Sequence, residues 1–214
     1  MRCIAFSRLL IASLFGLSLQ SAFADAGQDV QQRLDALASL HASFVQQTFD
    51  ERGRALETLE GEFAWARPGQ LRWEVKQPYN QLIVSDGVRL WLYEPDLQQA
   101  SLRSLSEVME EGGFLSVLAG TQPLREGYQV DLVQMSTETT AYRLLPLQDG
   151  AAMRDLVLRF DAEGLSALEF VDGIGQQHQL RFSARAAEIP ANAFVFVPPT
   201  GTEVIRSPAL GADG

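Results

Sequence analysis

The sequence predicts a mainly β protein with a few helices, built around one antiparallel sheet. Three observations carry that prediction. Apolar and polar residues alternate through most of the chain. Tight-turn signals such as Arg67-Pro68-Gly69, Asp161-Ala162-Glu163-Gly164 and Asp172-Gly173 separate the alternating runs. Helical spacing is confined to one stretch near the start and one between Ser104 and Gly120.

The elements follow in order. The opening MRCIAFSRLLIASLFGLSLQSAFADAG has Arg2 and Arg8 as its only charges before Asp25, an apolar run from Leu9 to Leu19 and an A-x-A site at Ala22-Phe23-Ala24. It reads as a secretory signal peptide, residues 1–24, cleaved after Ala24; the apolar run falls short of the ~20 residues a spanning helix needs. The one cysteine, Cys3, lies inside that segment, so the exported product has no thiol for a disulfide or a metal, and no lipidation cysteine. With 17 basic residues against 27 acidic the net charge is −10, and it deepens once Arg2 and Arg8 are removed. That disfavours nucleic acid or an anionic membrane surface as partner. What remains, 25–206, suits one domain, with 207–214 as a loose tail.

Val30, Leu34, Leu37, Ala38 and Leu40 form the first helical stripe. The period then becomes two: Leu59, Gly61, Phe63 and Trp65 alternate with polar neighbours, as do Leu71, Trp73 and Val75. QLIVSDGVRLWLYEPD, Gln81 to Asp96, reads as a hairpin turning at Ser85-Asp86-Gly87. Its second strand has Val88, Leu90 and Leu92 on one face and Trp91 and Tyr93 on the other, so alternation leaves open which side is core. Ser104 to Gly120 reads as two short helices about Gly112-Gly113, the second too short and apolar to stand alone in water. Further strands are expected at Tyr128–Met135, Tyr142–Leu145, Arg154–Asp161, Leu165–Val171, His178–Ala184 and Phe194–Val197, all in one antiparallel meander.

No catalytic signature accompanies this pattern. G-x-S-x-G, H-E-x-x-H and phosphate-cradling glycine loops are missing from the sequence, its two histidines are His41 and His178, and Gly173-Ile174-Gly175 lacks a third glycine. A secreted hydrolase with scattered catalytic residues is the enzyme alternative, and a lipid-sensing regulatory module the signalling one.

ARPGQLRWEVKQPYNQLIVSDGVRLWLYEPDLQQA, Ala66 to Ala100, resembles the LolA family, periplasmic carriers of outer-membrane lipoproteins in Gram-negative bacteria. His41-Ala42-Ser43-Phe44, Asp172-Gly173 with Gly175-Gln176, and Phe194 to Gly201 extend the resemblance over almost the whole chain. Leu71 departs from a common phenylalanine, and Gly112-Gly113 from a turn that often carries proline. The resemblance implies an unclosed antiparallel β-barrel with a helical lid over an apolar cavity. It implies a monomer whose cargo is acylated lipoprotein, released by an inner-membrane ABC transporter and passed to an outer-membrane receptor, with no cofactor or metal. Arg67 is implied as a lid latch and Leu71 as an apolar residue at the cavity mouth. Phe63, Trp65, Trp73, Leu82, Val84, Leu90, Trp91 and Tyr93 are candidates for the wall, and Phe114, Leu115, Val117 and Leu118 for the lid.

Overall fold

A computed structural model describes residues 26–119, 123–148 and 150–207. The signal-peptide reading and the tail beyond Ser207 lie outside these residues, as does Gly120.

Helix α1 (Ala26–Ala36) precedes six strands in an uninterrupted meander: β1 (Ser39–Phe49), β2 (Ala55–Ala66), β3 (Gln70–Gln77), β4 (Gln81–Asp86), β5 (Arg89–Glu94) and β6 (Gln99–Ser104), with one 3₁₀ turn at Pro95–Leu97. Three short helices follow, α2 (Leu105–Glu110), α3 (Phe114–Ala119) and α4 (Leu124–Gly127). A second meander comprises β7 (Tyr128–Met135), β8 (Thr140–Pro146), β9 (Met153–Asp161), β10 (Gly164–Asp172) and β11 (Gln177–Ser183), and β12 (Glu203–Arg206) ends the described chain. All twelve strands form one sheet in the order β12-β6-β5-β4-β3-β2-β1-β11-β10-β9-β8-β7. The two meanders join where β1 pairs with β11, and β7 and β12 are the free edges of an unclosed, curled sheet.

Three expectations are corrected. Phe194–Val197 is not a strand: Phe194 ends a turn, the residues after it join no ladder, and the pairing segment is Glu203–Arg206. This strand runs parallel to β6, so the sheet is not wholly antiparallel. The first helix is shorter than its apolar stripe. It ends at Ala36, and Leu40 belongs to β1, whose alternating Leu40, Ala42 and Phe44 are buried against the same core as Val30 and Leu34. A buried strand following a buried helix extends the apolar run without marking the change of period.

The core lies on the concave side. Leu40, Ala42 and Phe44 of β1, Phe63 and Trp65 of β2, Leu71, Trp73 and Val75 of β3, Leu156, Leu158 and Phe160 of β9, and Leu180 and Phe182 of β11 all contribute, with α1 and α3 laid across them.

Candidate functional site

Register decides which side chains share the concave face. Leu40 pairs with Trp65 and Trp65 with Leu71; Ala42 pairs with Phe63 and Phe63 with Trp73. Paired residues point to the same side of a sheet, so these six form a continuous apolar floor. Phe63 is fully buried, Trp65 2 % exposed, Leu71 3 % and Trp73 8 %. The aromatic rings interlock: Phe44 and Trp73 have centroids 4.8 Å apart, Phe63 meets Trp73 edge-on at 5.7 Å, and Phe63 meets Phe182 at 5.1 Å.

The floor is covered from above by α3. Its Phe114 ring lies 5.7 Å from Trp73 on β3 and 5.8 Å from Phe170 on β10, so one side chain bridges the two meanders. Val117 and Leu118 are buried beneath the helix, while Phe114 and Leu115 are half-buried. Six residues form little more than one turn and a half, which gains its order from this packing rather than from its own hydrogen bonds. Gly112 and Gly113, at φ +78° and +120°, join α3 to α2 in a backbone conformation that L side chains rarely adopt, and a Cβ at either would meet nothing within 4 Å. By contrast α2 is tied down. Ser104 and Glu107 form a capping box, Ser207 donates to Glu107, and Arg103 pairs with Glu111. Among the described residues, a cleft of about 720 Å³ with a mixed polar and apolar lining, including Met109, Glu110, Ser116, Val117, Leu124 and Tyr128, lies beside α3.

The candidates drawn from the hairpin divide. Trp73 pairs with Ile83 and Ile83 with Leu92, while Leu71 pairs with Ser85 and Ser85 with Leu90. Leu90, Leu92 and Ile83 therefore belong to the concave face. Leu82, Val84, Trp91 and Tyr93 have the opposite parity: Leu82 pairs with Tyr93 and Val84 with Trp91. These four share the convex face, where Trp91 and Tyr93 pack on Phe196 at 5.5 and 5.3 Å. Both faces of this hairpin are apolar because each has its own cover, α3 and its neighbours within and the 187–202 segment without.

Arg67 joins two helix ends. Its Nη2 donates to Leu34 O at 2.8 Å, its Nε to Leu37 O at 3.4 Å, and its Nη1 to Ala119 O, the last residue of α3, at 3.4 Å. The guanidinium also lies 3.6 Å from Asp35 and 5.7 Å from the centre of the Trp65 ring. Five donors in a rigid fork suit this task, since they satisfy carbonyls at helix C-termini whose negative dipole ends favour a cation. Pro68, Gly69 and Gly87 bring the Arg67 turn against the β4–β5 turn; at Gly87, φ +96°, a Cβ would meet Pro68 O at 2.9 Å.

Two polar clusters escaped the sequence reading. Tyr142, fully buried on β8, donates its hydroxyl proton to Asp29 and accepts a bond from Arg33 Nε at 2.9 Å. Burial, and then the bond to Asp29, push its phenol up to about 12. The network fastens α1 to the sheet. On β11, His178 Nε2 lies 3.0 Å from Asp172 and Nδ1 3.2 Å from Thr48, the connectivity of a hydroxyl-imidazole-carboxylate relay. Asp172 nevertheless engages the amides of Ile174 and Gln176 through its other oxygen. Burial alone would raise its pKa, but the bonds from His178 and these amides hold it below the ordinary carboxylate value. Thr48 is buried, at 6 % exposed. This line closes the β10–β11 turn. Among the described residues no group of three His, Cys, Asp or Glu is arranged to hold a metal ion.

The site is an apolar, aromatic concave sheet covered by short helices. The chain belongs to the LolA family, described as "Outer membrane lipoprotein carrier protein LolA", whose model matches residues 35–197. Members of that family are carriers, not enzymes. An outer-membrane lipoprotein carrier protein of Alkalilimnicola ehrlichii is 36% identical over 205 residues, covering 93% of this chain and 94% of the relative. Another, from Chromohalobacter salexigens, is 35% identical over 175 residues, covering 81% of this chain and 83% of the relative. A solved structure of an uncharacterized conserved protein from Thermus thermophilus shares the fold, with a TM-score of 0.54 at 14% identity over 85% of this chain and 99% of that one.

Proposed function

We propose that this chain is a periplasmic carrier of acylated lipoproteins. It accepts them as an inner-membrane ABC transporter releases them, shields their acyl chains against the concave face, and delivers them to an outer-membrane receptor. It acts as a single domain spanning 25–206, exported by a signal peptide cleaved after Ala24, and works as a monomer.

The observation that carries this reading is the Phe114 bridge: a short helix, joined through two glycines, inserts its ring between Trp73 and Phe170 on the apolar floor. Each acyl methylene withdrawn from water contributes about 0.8 kcal/mol, so acyl chains do not cross an aqueous compartment unaided. An apolar floor hides them, and a lid whose own side chains compete for that floor allows their release. Arg67 acts as the latch, Leu71 lies at the mouth, Phe63, Trp65, Trp73 and Leu90 line the wall, and Phe114, Leu115, Val117 and Leu118 form the lid face.

The test supplies inner-membrane vesicles loaded with a triacylated lipoprotein, the lipoprotein-releasing transporter, ATP and the mature chain. Lipoprotein is expected in the soluble fraction in a one-to-one complex. Lipoprotein that stays with the vesicles sinks the carrier reading.

A further inference from the structure

The latch is wider than Arg67. Helix α4 begins at Leu124, a residue 4 % exposed, and Pro123 before it offers no side-chain cap. The first amides of a helix have no intrahelical partner. Here the Leu124 amide donates instead to Gln31 Oε1 on α1, at 2.9 Å. The other end of the same amide group, Gln31 Nε2, donates to Asp35 Oδ1 at 3.0 Å. That same oxygen of Asp35 lies 3.6 Å from Arg67 Nη2, and Arg67 Nη1 reaches Ala119 O.

One polar chain thus runs Ala119–Arg67–Asp35–Gln31–Leu124. Its two ends are the last residue of α3 and the first residue of α4. Its middle lies on α1, which Val30, Leu34 and the Tyr142 network fasten to the sheet. The spacing is that of one helical turn: Gln31 and Asp35 are four apart and so neighbours on one face of α1. Asp35, bonded by Gln31, also determines which end of the Gln31 amide faces Leu124, because only the oxygen can accept from a backbone N–H.

We propose that Gln31 and Asp35 are positioning residues of the lid: together with Arg67 they hold the last residue of α3 and the first residue of α4 to α1, and so keep α3 on the floor. This rests on the carrier reading for its purpose, but its test needs no cargo. Gln31→Met keeps the length of the side chain and removes the acceptor. Amide exchange is then followed on the full mature chain, without lipoprotein. Loss of one hydrogen bond corresponds to roughly tenfold, so exchange at Val117, Leu118 and Ala119 is expected to accelerate by about tenfold while Phe63 and Trp73 in the sheet stay as they were. Gln31→Glu keeps an acceptor for the Leu124 amide but loses the bond to Asp35, and is expected to exchange at a rate between the parent and Gln31→Met. Unchanged exchange in α3 of Gln31→Met, uniform acceleration through α3 and sheet alike, or Gln31→Glu faster than Gln31→Met each overturns the proposal. If Gln31→Met does not fold, Asp35→Ala, on the exposed side of α1, is read by the same criteria. Failure of lipoprotein release in vesicles leaves this result standing, and the reverse also holds.

Discussion

Replacing Arg67 with leucine removes three side-chain hydrogen bonds, only one of which reaches the lid. The bonds to Leu34 O and Leu37 O tie the Arg67 turn to the C-terminal end of α1, and their loss costs stability without favouring either lid position. The bond to Ala119 O differs, because on the proposed carrier reading it would break when α3 leaves the floor. At 3.4 Å it is long, so it contributes about 0.5–1 kcal/mol, the lower part of the hydrogen-bond range. If the ligand-competent form is the minor one, its population rises by roughly two- to fivefold, and apparent affinity rises by the same factor. The whole substitution costs about 2 kcal/mol of fold stability, a fall of roughly 4–8 °C in Tm for a chain of this size. The two readouts therefore move in opposite senses. Titration with a fluorescent triacylated lipopeptide is expected to give tighter binding by an unfolding-prone variant, with slower transfer to the outer-membrane receptor. Affinity that falls together with Tm would return Arg67 to the role of a structural turn residue.

Two further outcomes are expected. Leu71→Glu places a carboxylate on a floor position that is 3 % exposed and paired with Trp65, where desolvation disfavours the charged form. Lipopeptide affinity is expected to fall by at least about tenfold at neutral pH and to recover in part near pH 5, as protonation removes the charge; a loss that ignores pH refutes the desolvation account. Tyr142 supplies an alkaline signature. Its folded phenol ionises at about 12, above the ordinary value, so its contribution is complete below pH 10 and is lost as pH rises from there toward 12, where the unfolded chain ionises first. Denaturation midpoints measured across this window are expected to decline more steeply for the parent than for Tyr142→Phe, and parallel curves refute the assignment.

Much of this architecture is legible in the chain because its causes are local. Alternation in Leu59 to Trp65 and Leu71 to Val75 reports a half-buried strand wherever the strand ends up. Ser85-Asp86-Gly87 reports a tight turn for the same reason: positive φ is a property of the residue, and Asp86 accepts from the amides of Val88 and Arg89 within its own loop. Gly112-Gly113 likewise marks the break between α2 and α3 before any partner is known.

What tertiary structure alone decided has non-local causes. Trp91 and Tyr93 cannot be assigned a face from their own strand, since Leu90 and Leu92 are as apolar. The convex side is partly covered by Phe196, about a hundred residues later, on which Trp91 and Tyr93 pack. The last strand escaped the pattern because Glu203–Arg206 is short and mostly exposed, and pairs by its backbone with β6, which asks little of its side chains. Arg67 announces a turn by its proline, whereas the three carbonyls it holds belong to Leu34, Leu37 and Ala119. Gln31 carries no signal at all. A backbone acceptor or amide has no residue identity to read, so a side chain that serves one is recognised only when folding brings the two within about 3 Å.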